Sequence, residues 1–178
     1  MKKILFTMLV VSLILLLNAC GKKAAKVAPT QEPAVEKVEE PVTRVEKPVL
    51  SEEEYFQQKS IEEMNKDGIL RKIHFDFDEY QVREDMKPIL QANADWMFKF
   101  PTVQILIEGH CDERGTIEYN IALGEKRAEA AKNYLASLGV KAASIKIVSY
   151  GKSKPLVQGV DEETYFQNRR AEFVITKK

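Results

Sequence analysis

Between Leu70 and Tyr80 the chain reads LRKIHFDFDEY, with Ile73, Phe75 and Phe77 alternating with His74, Asp76 and Asp78. A period of two puts apolar side chains on one face and polar ones on the other, the pattern of a half-buried strand. The period then lengthens. From Glu84 or Asp85 onward Met86, Leu90, Ala94 and Met97 recur at helical spacing beside Ile89, Trp96 and Phe100. This predicts a helix with Pro88 in its first turn, where amide donors lack intrahelical partners, and Pro101 as its stop. The aromatic residues here read as core rather than as a binding surface. Val103 to Ile107 is nearly all apolar and predicts a central strand. A longer helix is predicted from Ile117 or Glu118 to Leu138, with Ile121, Gly124, Ala128, Ala131, Leu135 and Leu138 on one face and Gly139 as its stop. Ile145 to Tyr150 reads as a third strand, Glu162 to Asn168 as a short helix and Ala171 to Ile175 as a fourth strand. Upstream, Ser51 and Glu54 form a capping-box signature that opens one lead-in helix, closed at Asp67-Gly68. The order of strands and helices implies an α+β two-layer sandwich, a βαβαββ core with a mixed four-stranded sheet and its helices on one face.

Both of the remaining N-terminal stretches lack this patterning. Residues 1–19 begin with Lys2 and Lys3, run through an unbroken apolar segment from Ile4 to Leu17 and end in small or polar residues before Cys20. That is the layout of a secretory signal, too short and wrongly flanked for a permanent membrane span. Leu17-Asn18-Ala19-Cys20 resembles a bacterial lipobox, and the resemblance implies that Cys20 carries a diacylglyceryl group and begins the mature chain. Residues 20–50 hold Pro29, Pro33, Pro41 and Pro48 among Lys, Glu and Val, with no aromatic residue. Such a composition cannot bury a core and predicts an extended, disordered tether reaching up to about 90 Å, at roughly 3 Å per residue. The expected layout is therefore signal, 1–19; lipidated Cys and tether, 20–50; lead-in helix, 51–68; folded domain, 69–178.

Charge and cysteine content narrow the function. The 178 residues carry 27 Lys and Arg against 27 Asp and Glu, so nothing points to a nucleic acid or a polyanionic surface as partner. There are two cysteines, Cys20 and Cys111; with Cys20 lipidated, Cys111 is a lone thiol.

The candidate chemistry is concentrated in EGHCDERGTIEYNIALGEKR, Glu108 to Arg127. It begins at the end of the predicted central strand and runs into the N-terminus of the long helix, a frequent place for binding sites. Asn120 and Arg127 are seven residues apart, about two turns, so they share a helix face with Leu123 between them. Arg127 can lean toward the loop that carries Asp112. One guanidinium, one carboxylate and free helix amides fit a zwitterion, the end group of an amino acid. A structural ion pair between Asp112 and Arg127, capping the helix, is the plainer reading of the same spacing. A glycan hydrolase would need two carboxyls among Asp76, Asp78, Glu108 and Asp112 flanking a sugar cleft, and the sequence supplies no aromatic-lined groove. His110 and Cys111 are neighbours on a strand and point apart. His110, Cys111 and Asp112 are consecutive, unlike the spaced ligands of zinc sites, so no metal or cofactor is expected.

FDFDEY, IEGHCDERGTIEYNIALGEKRA, IVSYGKSKP and NRRAEFVI, in this order, resemble the OmpA-like peptidoglycan-binding domain family over Leu70 to Thr176. The lipobox and tether resemble those of its lipoprotein members. The resemblance implies no catalysis but non-covalent binding of the diaminopimelate group of the peptidoglycan stem peptide. On the matching motifs, Asp112 takes the ammonium and Arg127 the carboxylate, with Asp76, Phe77, Asp78, Asn120 and Leu123 lining the pocket and Arg170 flanking it. Of Arg169 and Arg170, one is expected to be buried against the ligand loop and the other exposed. Where this chain has Cys111 the family more often has Thr. The resemblance also implies an outer-membrane location, lipid-anchored and facing the periplasm, consistent with Gly21 after Cys20, and TolB and other Tol proteins as partners.

Overall fold

The structure, a computed structural model, describes residues 50–178. The expected signal, Cys20 and all of the tether except Leu50 lie outside the described residues.

Two capping boxes, not one, open the chain. Ser51 and Glu54 start α1 (Glu52–Gln58), and Ser60 and Glu63 start α2 (Ile61–Asp67), which Gly68 closes in a left-handed conformation at φ 68°. The single lead-in helix of the sequence reading is thus broken at Lys59-Ser60, because a second capping box supplies a second N-terminus. Hydrogen bonds from the Ser60 amide and the Lys59 ammonium lower the Glu63 pKa to about 2 from its ordinary 4.5. A carboxyl whose pKa is lower in the folded protein contributes stability above its ordinary pKa and loses it as the pH falls toward the folded value. Glu63→Gln should therefore melt below wild type at pH 7, with the gap closing by about pH 2. A gap unchanged across that range would show that the charge is not what holds the cap.

The chain continues through β1 (Ile73–His74), a 3-10 turn at Glu84–Met86, α3 (Lys87–Lys99), β2 (Gln104–His110), α4 (Ile117–Ser137), β3 (Ile145–Gly151), α5 (Glu162–Asn168) and β4 (Arg170–Lys177). The sheet order is β1-β4-β2-β3, with β2 parallel to β3 and β4 antiparallel to both β1 and β2. This is the mixed four-stranded sheet expected, with the apolar strand β2 in its interior. Ile105 and Ile107 of β2 and Ala171, Phe173 and Ile175 of β4 share one buried core with Leu90, Ala94, Ala128, Ala131 and Leu135 of α3 and α4. The lead-in helices join that core. Phe56 stacks on Phe100 at 4.2 Å between ring centres, and Met64 is fully buried. The Asn65 amide makes two hydrogen bonds to the main chain of Ile175, at 2.8 and 3.0 Å, covering part of the β4 edge beyond the short β1.

Two expectations change. The alternation predicted through Phe77 stops early: β1 ends at His74, Asp78 takes φ 60°, and Phe77 is 58% exposed while Phe75 is fully buried. On α4 it is Leu123 that is buried and Ile121 that is 38% exposed. The rotation follows from a close contact: a Cβ on Gly109 would lie 1.8 Å from the Gly124 carbonyl oxygen. Two glycines let β2 and α4 touch backbone to backbone, and that contact sets which face of the helix looks at the strand end. Gly109→Ala should cost about 3 kcal/mol, the upper end for overpacking, since the collision is with main chain. Urea denaturation measures it; a loss under about 1 kcal/mol would mean that the helix shifts without penalty.

Candidate ligand-binding site

β2 ends at Gly109-His110 with a register shift against β3. Beyond it, residues 111–116 cross the sheet end to Thr116, whose side chain accepts from the Tyr119 amide and caps α4. This strand end, the turn at Phe77-Asp78 and the first three turns of α4 enclose a cavity of about 400 Å³.

Arg127 forms its floor and is fully buried. Its Nε donates to the Glu79 carbonyl at 2.8 Å, Nη1 to the His110 carbonyl at 2.9 Å and Nη2 to the Asp76 carbonyl at 3.1 Å. Three main-chain oxygens hold the guanidinium, and no carboxylate lies within ion-pair distance of it among the described residues. Burial lowers its pKa, but a guanidinium starts so high that it stays charged. The turn that spoils the predicted strand at Phe77 is what presents the Asp76 and Glu79 carbonyls to it.

Asp112, 5% exposed, is the cavity's buried carboxylate. It accepts from the Arg114 amide, from Arg114 Nε and Nη2 at 3.2 and 2.7 Å, and from Arg169 Nη1 at 3.3 Å. Burial pushes its pKa up, but these donors outweigh burial and hold it below the ordinary value. Asp112 and Arg127 therefore share a cavity without pairing with each other. Arg114 lies between the rings of Phe77 and Tyr165, 4.1 and 4.2 Å from their centres, and forms a stacked wall above Asp112. Asp78 lines the rim and accepts a hydrogen bond from the Tyr119 hydroxyl. Asn120 spends both amide hydrogens on the Arg114 and Thr116 carbonyls, at 2.7 and 2.9 Å, so it shapes the loop.

Of the residues expected at the site, Phe77, Asp78, Asp112, Asn120, Leu123 and Arg127 line this cavity. Asp76 contributes its carbonyl, while its carboxylate turns away to Arg83. Arg170 does not flank the cavity: it bonds Glu172 at 2.7 Å and the Asn168 and Lys154 carbonyls. Arg169 takes that place, bridging Asp112 and Glu162, and both arginines are buried, not one. Arg170 is the first residue of β4 and Arg169 precedes it, so their side chains leave in different directions. Arg114, Gly115, Thr116 and Tyr119 line the cavity although motif matching did not single them out. The DERG turn and the Thr116 cap were the available signals.

Cys111 also lines the cavity; its thiol donates to the Asn120 carbonyl at 3.3 Å, and burial pushes its pKa up to about 11. The His110 ring points the other way and stacks on Tyr150. Glu108 is not a cavity carboxylate either, since it faces Glu172 across the strands.

The chain is 48% identical over 99 residues to the peptidoglycan-associated lipoprotein of Pasteurella multocida and 50% identical over 99 residues to that of Haemophilus influenzae. These matches cover 56% of this chain in each case, and 66% and 65% of the two relatives, just under two thirds. The crystal structure of the peptidoglycan-associated lipoprotein from Burkholderia pseudomallei superimposes with a TM-score of 0.58 at 48% identity, covering 60% of this chain and 90% of that one. The core strands and helices from His74 to Arg169, including every residue that lines the cavity, coincide with the match of residues 74–169 to the model of the OmpA family, more than half of the sequence, and the chain belongs to that family.

Proposed function

We propose that this protein is an outer-membrane lipoprotein that binds peptidoglycan non-covalently through the diaminopimelate of the stem peptide, tying the membrane to the cell wall. Lipid on Cys20 anchors one end, residues 20–50 span the gap, and the described domain grips the wall. It acts there as a binding module rather than an enzyme, in envelope integrity and cell division, with TolB and other Tol proteins as partners. The names of its relatives, peptidoglycan-associated lipoproteins, support association with peptidoglycan and a lipid.

The observation that carries the reading is Arg127: a fully buried guanidinium on a cavity floor, held by three carbonyls and facing no carboxylate among the described residues. A ligand carboxylate supplies the missing counter-charge. The ligand ammonium takes Asp112. That carboxylate already accepts four hydrogen bonds, about its full capacity, so the ammonium displaces the side chain of Arg114, the more exposed of its two arginines. Two charge-assisted contacts at about 1.5 to 3 kcal/mol each, set against ordering costs, give micromolar to millimolar affinity per site. Many copies on one membrane turn that into firm adhesion.

The test is co-sedimentation of residues 50–178 with purified sacculi whose stem peptides carry either diaminopimelate or lysine at the third position. Lysine lacks the second carboxylate. Saturable pelleting with the first and binding weaker by about tenfold or more with the second is expected. Equal pelleting with both would remove diaminopimelate as the ligand.

A further inference from the structure

The open face of the sheet carries a cluster that the cavity does not use. Glu108 of β2 lies directly opposite Glu172 of β4, an arrangement that like charges disfavour. His110, two residues along β2 from Glu108, presents its ring on the same face. Only 1% of His110 is exposed, and neither ring nitrogen has a hydrogen-bond partner among the described residues. The Lys154 carbonyl approaches the ring without meeting hydrogen-bond geometry at either nitrogen, and it accepts from Arg170. A buried imidazole with two idle nitrogens beside two facing carboxylates is costly on each count.

We propose that Glu108, His110 and Glu172 bind a divalent first-row metal ion, with zinc the best fit. One ligand atom from each of the three lies within 4.8 Å of the other two. His110 Nε2 is 3.6 Å from Glu108 Oε2, too far for a hydrogen bond. It is close to the edge of about 3.4 Å between two ligands of a tetrahedral zinc with bonds of about 2.0 to 2.2 Å. Small rotations of the two glutamates close the rest. Arg170 and Lys72 both engage Glu172 through Oε1, so its second oxygen carries no ion-pair partner among the described residues. One imidazole and two carboxylates suit zinc, leave a fourth position for water and contain no thiolate. Arg170, Lys72 and the nearby Lys154 offset the two carboxylates and keep the site weaker than a closed structural one. No single segment carries this set, which is assembled across two strands. Bound metal would clamp β2 to β4 at the residue whose carbonyl also holds Arg127.

The test is equilibrium dialysis of the full chain, solubilised in detergent and stripped with a chelator, against zinc. One saturable zinc per chain is expected, weakened in Glu108→Gln and likewise in Glu172→Gln by at least the roughly 10- to 100-fold that loss of a mere outer-shell partner brings, since each removes a ligand. His110→Asn should lose it too, and if that variant does not fold, the two Gln variants still decide. No saturable binding up to about 100 μM zinc overturns the site. So does zinc held equally by wild type and both Gln variants, which would put it elsewhere, such as on a cysteine. Sacculus binding is read separately, so neither proposal stands or falls with the other.

Discussion

Arg127→Ala is expected to cost the fold about 2 to 6 kcal/mol and to abolish binding to diaminopimelate-containing sacculi. The stability loss comes from the carbonyls of Asp76, Glu79 and His110, which lose their only side-chain donor among the described residues, although the Asp76 carbonyl keeps the Glu79 amide at 3.3 Å. The other two, left unpaired, cost about 1 to 3 kcal/mol each where water is excluded, and water entering the vacated floor offsets part of that sum. Against a total of about 5 to 15 kcal/mol the domain is left marginal, so lost binding in this variant can reflect unfolding as well as a missing ligand contact. Arg127→Lys separates the two effects. A lysine keeps the charge and reaches one or two of the carbonyls, but it cannot present two parallel donors to a carboxylate. It should recover part of the urea midpoint while still binding at least about tenfold more weakly than wild type. Wild-type binding by a folded Arg127→Lys would sink the guanidinium-carboxylate grip. A loss under about 1 kcal/mol in Arg127→Ala would show that the carbonyls find other partners.

Asp112→Asn is the second large effect, and the cleaner one for binding. The side chain keeps its size and loses its charge. Arg169 retains Glu162 at 2.6 Å and the Phe75 carbonyl at 3.1 Å, so the stability cost should stay near 1 to 3 kcal/mol, about one buried charge-assisted contact. Binding of the ligand ammonium should fall about 10- to 100-fold, and adding Arg127→Lys should deepen the loss. The pH dependence follows from the lowered pKa of Asp112. Its folded form holds a proton less tightly than the unfolded chain does, so the stability gap between wild type and Asp112→Asn is full above the ordinary carboxylate range. The gap closes as the pH falls through the folded pKa. Urea denaturation at pH 7 and at about pH 3 measures it. Equal sacculus binding by Asp112→Asn and wild type would move the ammonium to another carboxylate, of which Asp78 on the rim is the other one that lines the cavity.

Much of the fold was legible because its signals are local. A helix of 21 residues from Ile117 to Ser137 follows from a period of 3.6 and a glycine stop, and α5 matches its expected bounds. The second capping box at Ser60 and Glu63 was equally local, yet one lead-in helix was expected where two exist. The candidate site was legible in its residue types. A guanidinium and a carboxylate at a strand end next to a helix N-terminus belong to one short segment, and the structure does bring Asp112, Asn120, Leu123 and Arg127 to one cavity.

What eluded the sequence depends on contacts between distant segments. Whether Ile121 or Leu123 turns inward rests on the Gly109–Gly124 contact, which joins a residue of β2 to one of α4. The exposure of Phe77 reflects a turn that delivers two carbonyls to Arg127, 48 and 51 residues away. Arg169 rather than Arg170 reaches Asp112 because the strand begins between them.

By itself, then, the sequence determined most of the elements, their order, the two-layer class and the kind of charges near the strand end, since periodicity, caps and breakers act within a few residues. Only the tertiary structure decided which charges meet. It gave Arg127 three carbonyls instead of Asp112, gave Asp112 two arginines, and set Glu108, His110 and Glu172 together on the open face, because those partners are chosen by strand register and helix rotation, which no local spacing encodes.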